Sequence, residues 1–456
     1  MRQVAFAAIL INAMVIKKII AVLASVACVA VSAMAIDGSW RGELSLGPAK
    51  LPLVFHFTTV DGVTTATVDS PNQGVKGLAS EVVYCSIDSV AVDIPSIGAA
   101  LRGHIDGDSI SATFSQRGFI LPITLTPELS LVERRPQTPV PPFPYTMVDT
   151  TFTAPDGVLL AATLTLPDSA SADTPVVVMV TGSGPQNRDE ELFEHRPFAV
   201  IADRLARAGI ASLRYDDRGT AKSGGDFALS TTMTFKDDAA SALDFGRSFA
   251  PAAKVGILGH SEGGTIALLL AAEGKPDFVV SLAGMTAGGK ETLIEQNRRA
   301  LDKAGITGTQ VADALRLLDA AFNHIASGAE GRFDADAYVA ANNLEVPAPV
   351  VASVRANAQT DSPYLRGMLS LRPADVLASV HCPVLAVNGS LDTQVSAGPN
   401  LSLIRELVSN ARVKEYPGLN HLLQHAVTGD VAEYGTITET IAPEVLDDIC
   451  GFIIAL

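Results

Sequence analysis

The chain has 456 residues, 48% of them hydrophobic and 18% charged, which supplies enough apolar material for two or three globular domains. Acidic side chains number 49 and basic ones 33, for a formal charge of −16. That balance argues against nucleic acid or an anionic membrane surface as partner.

Arg2, Lys17 and Lys18 lead into an uncharged apolar run over residues 19–33, and Ala33-Met34-Ala35 forms a small-x-small cleavage site. Residues 1–35 therefore read as a secretory signal peptide, with Met1 or Met14 as the start. An uncleaved anchor is the alternative, because residues 19–36 are at the lower edge of a spanning length. The alanine-rich run and the cleavage site favour removal. Removal takes away three basic residues and no acids, so 30 minus 49 gives a charge of −19. The expected product is exported, periplasmic or secreted, without stable membrane insertion. Its cysteines, Cys85, Cys382 and Cys450, have no metal-ligand spacing, and no cofactor or metal is implied. Pairing of Cys382 with Cys450 and free buried thiols both stay open.

Residues 36–133 alternate like an all-β region. Residues 51–57, 64–68, 81–83 and 109–114 read as short strands, and Asp61-Gly62 and Asp106-Gly107 as hairpin turns. A small barrel or sandwich is expected. Trp40 reads as a core plug of that domain. Residues 134–146 follow, with five prolines between 136 and 144, and read as a semi-rigid linker.

Over residues 147–456 strands alternate with helices. Strands are expected at 158–166, 175–180, 210–213, 255–258, 278–283, 383–387 and 413–416. Helices are expected at 196–208, 235–249, 265–272 and from about 443. This order predicts a mostly parallel sheet with helices on both faces. Between about 285 and 372 the alternation stops. Four helices, at 290–304, 309–326, 334–343 and 349–358, form an insertion that reads as a lid.

The chemistry centres on Gly259-His260-Ser261-Glu262-Gly263, a G-x-S-x-G pattern between strand 255–258 and an all-apolar helix. Such a turn lifts a serine hydroxyl clear of the backbone. Its small neighbours allow strand and helix to approach. A serine nucleophile also needs an imidazole base and an orienting carboxylate. Asp392 follows strand 383–387 and His421 follows strand 413–416. The chain order Ser261, Asp392, His421 is the one this arrangement uses. His425, His260 and His195 are rivals for the base and rank behind His421. The transition state places charge on a carbonyl oxygen, and two backbone N–H groups must meet it. Glu262 is expected to supply one. Ser183 supplies the other, with Gly184 as near alternative.

Three motifs carry a family resemblance. They are Gly182-Ser183-Gly184-Pro185-Gln186-Asn187-Arg188-Asp189-Glu190, Arg214-Tyr215-Asp216-Asp217-Arg218-Gly219 and Gly259-His260-Ser261-Glu262-Gly263-Gly264. Together they resemble α/β-hydrolases, and most of all bacterial two-domain carboxylesterases with an N-terminal β domain. Trp40-Arg41-Gly42-Glu43-Leu44 and Val68-Asp69-Ser70-Pro71-Asn72-Gln73-Gly74 resemble that extra domain. The resemblance implies an esterase acting on short acyl esters, a small-molecule substrate, and structural roles for Asp217 and Arg218. Ala221 departs from the family, which often has glycine there. A serine aminopeptidase with the same triad is the alternative activity, and Glu291, Glu295 and Asp313 of the insertion would then hold a substrate amine. A binding role for the β domain is the alternative of another class.

Overall fold

The computed structural model describes residues 36–456, apart from 47–48, 61, 74, 129–134, 251–252 and 359–361. The expected signal peptide and Asp61 of one expected turn lie outside the described residues. The described residues divide into two compact units. One holds the N-terminal strands with Leu192–Glu194, the other Arg135–Glu191 and His195–Leu456.

In the first unit, eight antiparallel strands form an up-and-down meander. They are β1 (Gly38–Leu46), β2 (Ala49–Val60), β3 (Val63–Ser70), β4 (Val75–Cys85), β5 (Ser89–Ile94), β6 (Ala99–Asp106), β7 (Ser109–Gln116) and β8 (Phe119–Pro127). Pairing of β1 with β8 closes the barrel, which decides against a sandwich. Inward positions alternate with outward ones, so Ala66, Val68 and Ser70 of β3 are buried and their neighbours are not. Phe55, Val92, Leu101, Ile110 and Leu125 are fully buried and fill the interior. Trp40 lies in this core, and its indole Nε1 donates to the Ile36 carbonyl at 2.9 Å.

Residues 135–144 are bonded into the second unit. The Gln137 amide donates to the Ile441 carbonyl at 2.7 Å and its oxygen accepts from the Thr440 N–H at 2.5 Å, while Arg135 is buried. The sheet of this unit has the order β16-β15-β14-β13-β11-β12-β10-β9. Its strands are β9 (Tyr145–Thr153), β10 (Leu159–Pro167), β11 (Val176–Val180), β12 (Ala211–Tyr215), β13 (Val255–His260), β14 (Val279–Leu282), β15 (Val384–Gly389) and β16 (Ala411–Tyr416). From β12 to β16 the pairs are parallel, and β9 and β10 form an antiparallel edge.

Because side chains alternate across a strand, β11 feeds two cores. Val176, Val178 and Val180 face one core with α2 (Thr232–Phe249) and α3 (Glu262–Ala272). Val177 and Met179 face the other, with α1 (Pro197–Arg207) and Pro443–Ile454 near the C-terminus. This is the mostly parallel sheet with helices on both faces that the alternation predicts, and the layer plan that the α/β-hydrolase resemblance implies.

Five helices separate β14 from β15: α4 (Gly289–Lys303), α5 (Thr309–Ala326), α6 (Ala335–Ala341), α7 (Ala348–Asn357) and α8 (Pro363–Ser370). They have a core of their own around Leu317, Phe322, Ile325 and Leu369. The first four match the expected helices, and α8 adds a fifth. No helix among the described residues is long and apolar enough to cross a membrane.

Candidate active site

Strand β13 ends and α3 begins across a single residue, Ser261, with φ 54° and ψ −116°. A non-glycine residue in that region is strained, and the surrounding packing must hold it there. The close approach explains the flanking glycines. A Cβ at Gly259 would lie 2.0 Å from the Gly263 carbonyl oxygen, and one at Gly263 would lie 2.1 Å from that of Val180. Any side chain at either position would push strand and helix apart.

Asp392 and His421 stand where the sequence places them, after β15 and β16, and both are buried. His421 Nδ1 lies 2.7 Å from Asp392 Oδ2. Asp392 Oδ1 accepts from the N–H groups of Gln394 and Val395, each at 2.8 Å, which fixes the carboxylate plane. An ionised carboxylate only accepts, so Nδ1 donates to it, and in the neutral ring Nε2 is then the acceptor.

The rival histidines are committed elsewhere. His195 is buried between the Thr440 hydroxyl and the Tyr434 carbonyl. His425 is exposed beside Glu439 and Glu444. The His260 ring lies tilted against that of His421, with centroids 4.7 Å apart. Its Nε2 faces the His421 carbonyl and its Nδ1 faces Glu190 Oε1, each at 2.9 Å. An ionised Glu190 and a carbonyl both accept, so this pair of contacts favours the protonated form of His260. Burial opposes that charge, but Glu190 and the carbonyl outweigh it and raise the His260 pKa.

The loop after β11 comes up beside the nucleophile. A Cβ built on Gly182 would be 3.3 Å from that of Ser261. The Gly182 N–H donates to Glu190 Oε1 at 2.7 Å and is therefore spent. Asp217 holds the same loop, accepting from the Thr181 hydroxyl at 2.7 Å and the Gln186 N–H at 2.9 Å. Burial pushes the Asp217 carboxyl well up; those two donors oppose the shift, and the nearby Glu262 and Glu190 add to it. Arg218 braces the layer below through Asp238 Oδ2 at 2.8 Å and Asp156 Oδ2 at 2.7 Å. Glu262 is the first residue of α3, where a backbone N–H has no partner within the helix.

The Glu262 side chain is the feature that sequence reasoning missed. Its carboxylate is buried and accepts from the Thr232 hydroxyl at 2.6 Å and the Tyr364 hydroxyl at 2.5 Å. Burial raises its pKa, against the opposing pull of Thr232, Tyr364 and the Ser183 hydroxyl. Thr232 and Tyr364 lie far away in sequence, and no local pattern marks them. Among the described residues no group of histidine, cysteine and acidic side chains has a metal-binding arrangement, and Cys85, Cys382 and Cys450 are free thiols.

The sequence profile of the X-Pro dipeptidyl-peptidase (S15) family matches residues 156–425, more than half of the chain. Esterase EstD of Thermotoga maritima is 26% identical over 266 residues, which span 58% of this chain and 58% of that protein. Among solved structures, an esterase of Pyrococcus furiosus (Pf2001) is 14% identical, covering 68% of this chain and 93% of its own, with a TM-score of 0.41. Est1E of Butyrivibrio proteoclasticus, solved with ferulic acid, is 17% identical, covering 67% and 96%, with a TM-score of 0.41. The fold assignment rests on the strand order described above. With a strand-to-helix serine turn on a mostly parallel sheet and a profile match across that sheet, the chain belongs to the S15 family and has the α/β-hydrolase fold.

Proposed function

We propose that the protein is a serine carboxylesterase acting on short acyl esters. Ser261 Oγ bonds to the ester carbon while its proton passes to His421 Nε2. The tetrahedral oxyanion is met by the backbone N–H groups of Ser183 and Glu262. The carbon–oxygen bond to the alcohol then breaks, and the alcohol leaves with the proton from His421. Water attacks the acyl-enzyme, gives its proton to His421, and the acid departs as Ser261 regains that proton. Asp392 orients His421 and stabilises its cation. The helical insertion roofs the site and shapes the acyl pocket. A signal peptide over residues 1–35, the β domain over 36–133 and export from the cytoplasm complete the reading.

The observation that carries it is the 2.7 Å contact of His421 Nδ1 with Asp392 Oδ2 beneath a strained serine turn. Ser261→Ala is expected to abolish cleavage of p-nitrophenyl acetate and butyrate. Undiminished turnover in that variant would overturn the reading.

The family match keeps a second reading, amide hydrolysis after proline or at a free N-terminus. A peptidase of that kind needs an acid to hold the substrate amine. The three acids proposed for that role have other partners. Glu291 pairs with Arg372, Glu295 with Arg298 and Arg299, and Asp313 with Arg316 and the Glu345 N–H. This favours the ester. An X-Pro arylamide and a butyrate ester offered at equal concentration separate the two.

A further inference from the structure

Tyr364 belongs to α8, the last helix of the insertion, yet its hydroxyl reaches the residue beside the nucleophile. The Glu262 carboxylate it meets is 2% exposed, where an unmatched charge is not tolerated. Its two oxygens are shared out. Oε1 takes the hydroxyl of Thr232, the first residue of α2, and Oε2 takes that of Tyr364. The ring of Tyr364 is wedged against Phe227 and Phe235, with centroids 5.6 and 6.2 Å away, so the hydroxyl has little freedom.

The other end of the insertion is tied down as well. From α4, Gln296 donates to the Gln394 carbonyl at 3.0 Å and Arg299 to the Ser396 hydroxyl at 2.8 Å. Both acceptors lie in the loop that carries Asp392. The insertion is thus bonded at its start to the acid loop and at its end to the nucleophile turn. A freely swinging lid would have neither bond.

We propose that Tyr364 is a positioning residue for the oxyanion site. By holding the Glu262 side chain with Thr232, it fixes the first turn of α3 and aims the Glu262 N–H at the substrate oxyanion. The insertion is then a working part of transition-state stabilisation as well as a roof. This rests on the serine-hydrolase reading above. Misplacing a group by about 1 Å costs about a hundredfold in rate, so the effect belongs in kcat.

The test uses the full chain and p-nitrophenyl butyrate, with Ser261 counted by end-point labelling with a fluorophosphonate. Tyr364→Phe is expected to lower kcat per labelled serine by about ten- to a hundredfold, with KM changed less than about twofold. Affinity for an alkylboronic acid, which imitates the tetrahedral state, falls in parallel with kcat. Adding Glu262→Gln to Tyr364→Phe recovers part of the loss, because a neutral amide no longer needs two donors. Thr232→Val is the second variant. It leaves the insertion untouched, and it decides the matter if the phenylalanine variant does not fold. A fall in kcat there supports the proposal, and an unchanged kcat overturns it. A rise in KM alone also overturns it, since the insertion would then act only in binding. Failure of the underlying reading looks different, because Ser261→Ala would stay active and the fluorophosphonate would not label.

Discussion

Ser261, His421 and Asp392 share their side-chain types with Ser39, His56 and Asp69 of the barrel, and the surroundings of the two sets differ. On the barrel, Ser39 Oγ is 2.7 Å from His56 Nδ1, and His56 Nε2 is 3.1 Å from Asp69 Oδ2. The Gly77 N–H supports that carboxylate at 2.6 Å. Ser39 and His56 are hydrogen-bonded and Asp69 lies within ion-pair distance of His56, the order of side chains that a triad uses. It arises simply, because Ser39 and His56 are cross-strand partners on β1 and β2 and Asp69 lies on the adjacent β3. Yet Ser39 sits inside the extended strand β1. The His56 side chain is about one third exposed. At Ser261 the backbone is forced to positive φ, the histidine is buried, and a helix begins at the next residue. On the proposed mechanism a proton relay alone does not make a nucleophile site, and a sharp turn with backbone donors for the oxyanion is needed as well.

The largest expected effect separates the two serines. Ser261→Ala should lower kcat for p-nitrophenyl butyrate by about 10⁶-fold, the scale of nucleophile loss in other serine hydrolases. Ser39→Ala should leave kcat within about twofold, since Ser39 lies inside an extended strand and not at a strand-to-helix turn. Comparable losses from the two would break the comparison and make the relay itself sufficient. The carboxylates repeat the contrast on a smaller scale. Asp392→Asn should cost about 10⁴-fold, because an amide at that position favours the wrong tautomer of His421. Asp69→Asn should again leave the rate unchanged, and the same ester assay reads both.

Legibility in the sequence followed the range of the interactions. The Ser261 turn, Asp392 and His421 were readable because each closely follows a strand of the parallel sheet, and strand ends converge by topology alone. Strands β1, β5, β6 and β8 have no counterpart among the expected strands, and β4 was expected only over 81–83. The segment 75–85 alternates small, charged and apolar residues without a strong run, and its neighbours supply its pairing. Helix α8 escaped notice because it has eight residues and proline at its start, too short for a periodic signal. It carries Tyr364, so the miss concealed the contact with Glu262 as well. The Ser39 relay was invisible for the same reason, as it depends on cross-strand register, which period-two alternation leaves open.

Beside Ser261 the buried pair of His260 and Glu190 has no counterpart next to Ser39, and it predicts a pH effect on stability. The folded pKa of His260 lies above its ordinary 6.5, so the folded state holds this proton more tightly than the unfolded one. The stabilisation is fully present below 6.5 and is lost as pH rises through the folded value. The midpoint of thermal unfolding should therefore fall over that range in the wild type. His260→Gln should lower stability at pH 6 and flatten this part of the curve. An identical slope in the variant would show that other groups set it.

Ala221 offers the smallest and cleanest contrast with Ser261. Both are non-glycine residues at positive φ, 48° for Ala221 and 54° for Ser261. At Ser261 the strain presents a hydroxyl. At Ala221, on an exposed loop after Arg218, the methyl group presents nothing. A left-handed L-residue costs about 1–2 kcal/mol, and glycine gives back about 0.5–1 kcal/mol through the freedom of its unfolded chain. Ala221→Gly should thus stabilise the protein by about 0.5–1 kcal/mol, read as a higher denaturant midpoint at unchanged slope, with ester turnover untouched. Ser261→Gly should gain stability for the same reason while losing all turnover. If both glycine variants stabilise and only the second is inactive, the strain at Ser261 is held for its chemistry. A destabilised Ala221→Gly would mean that the loop needs its methyl group, and strain at Ser261 would no longer distinguish the two sites.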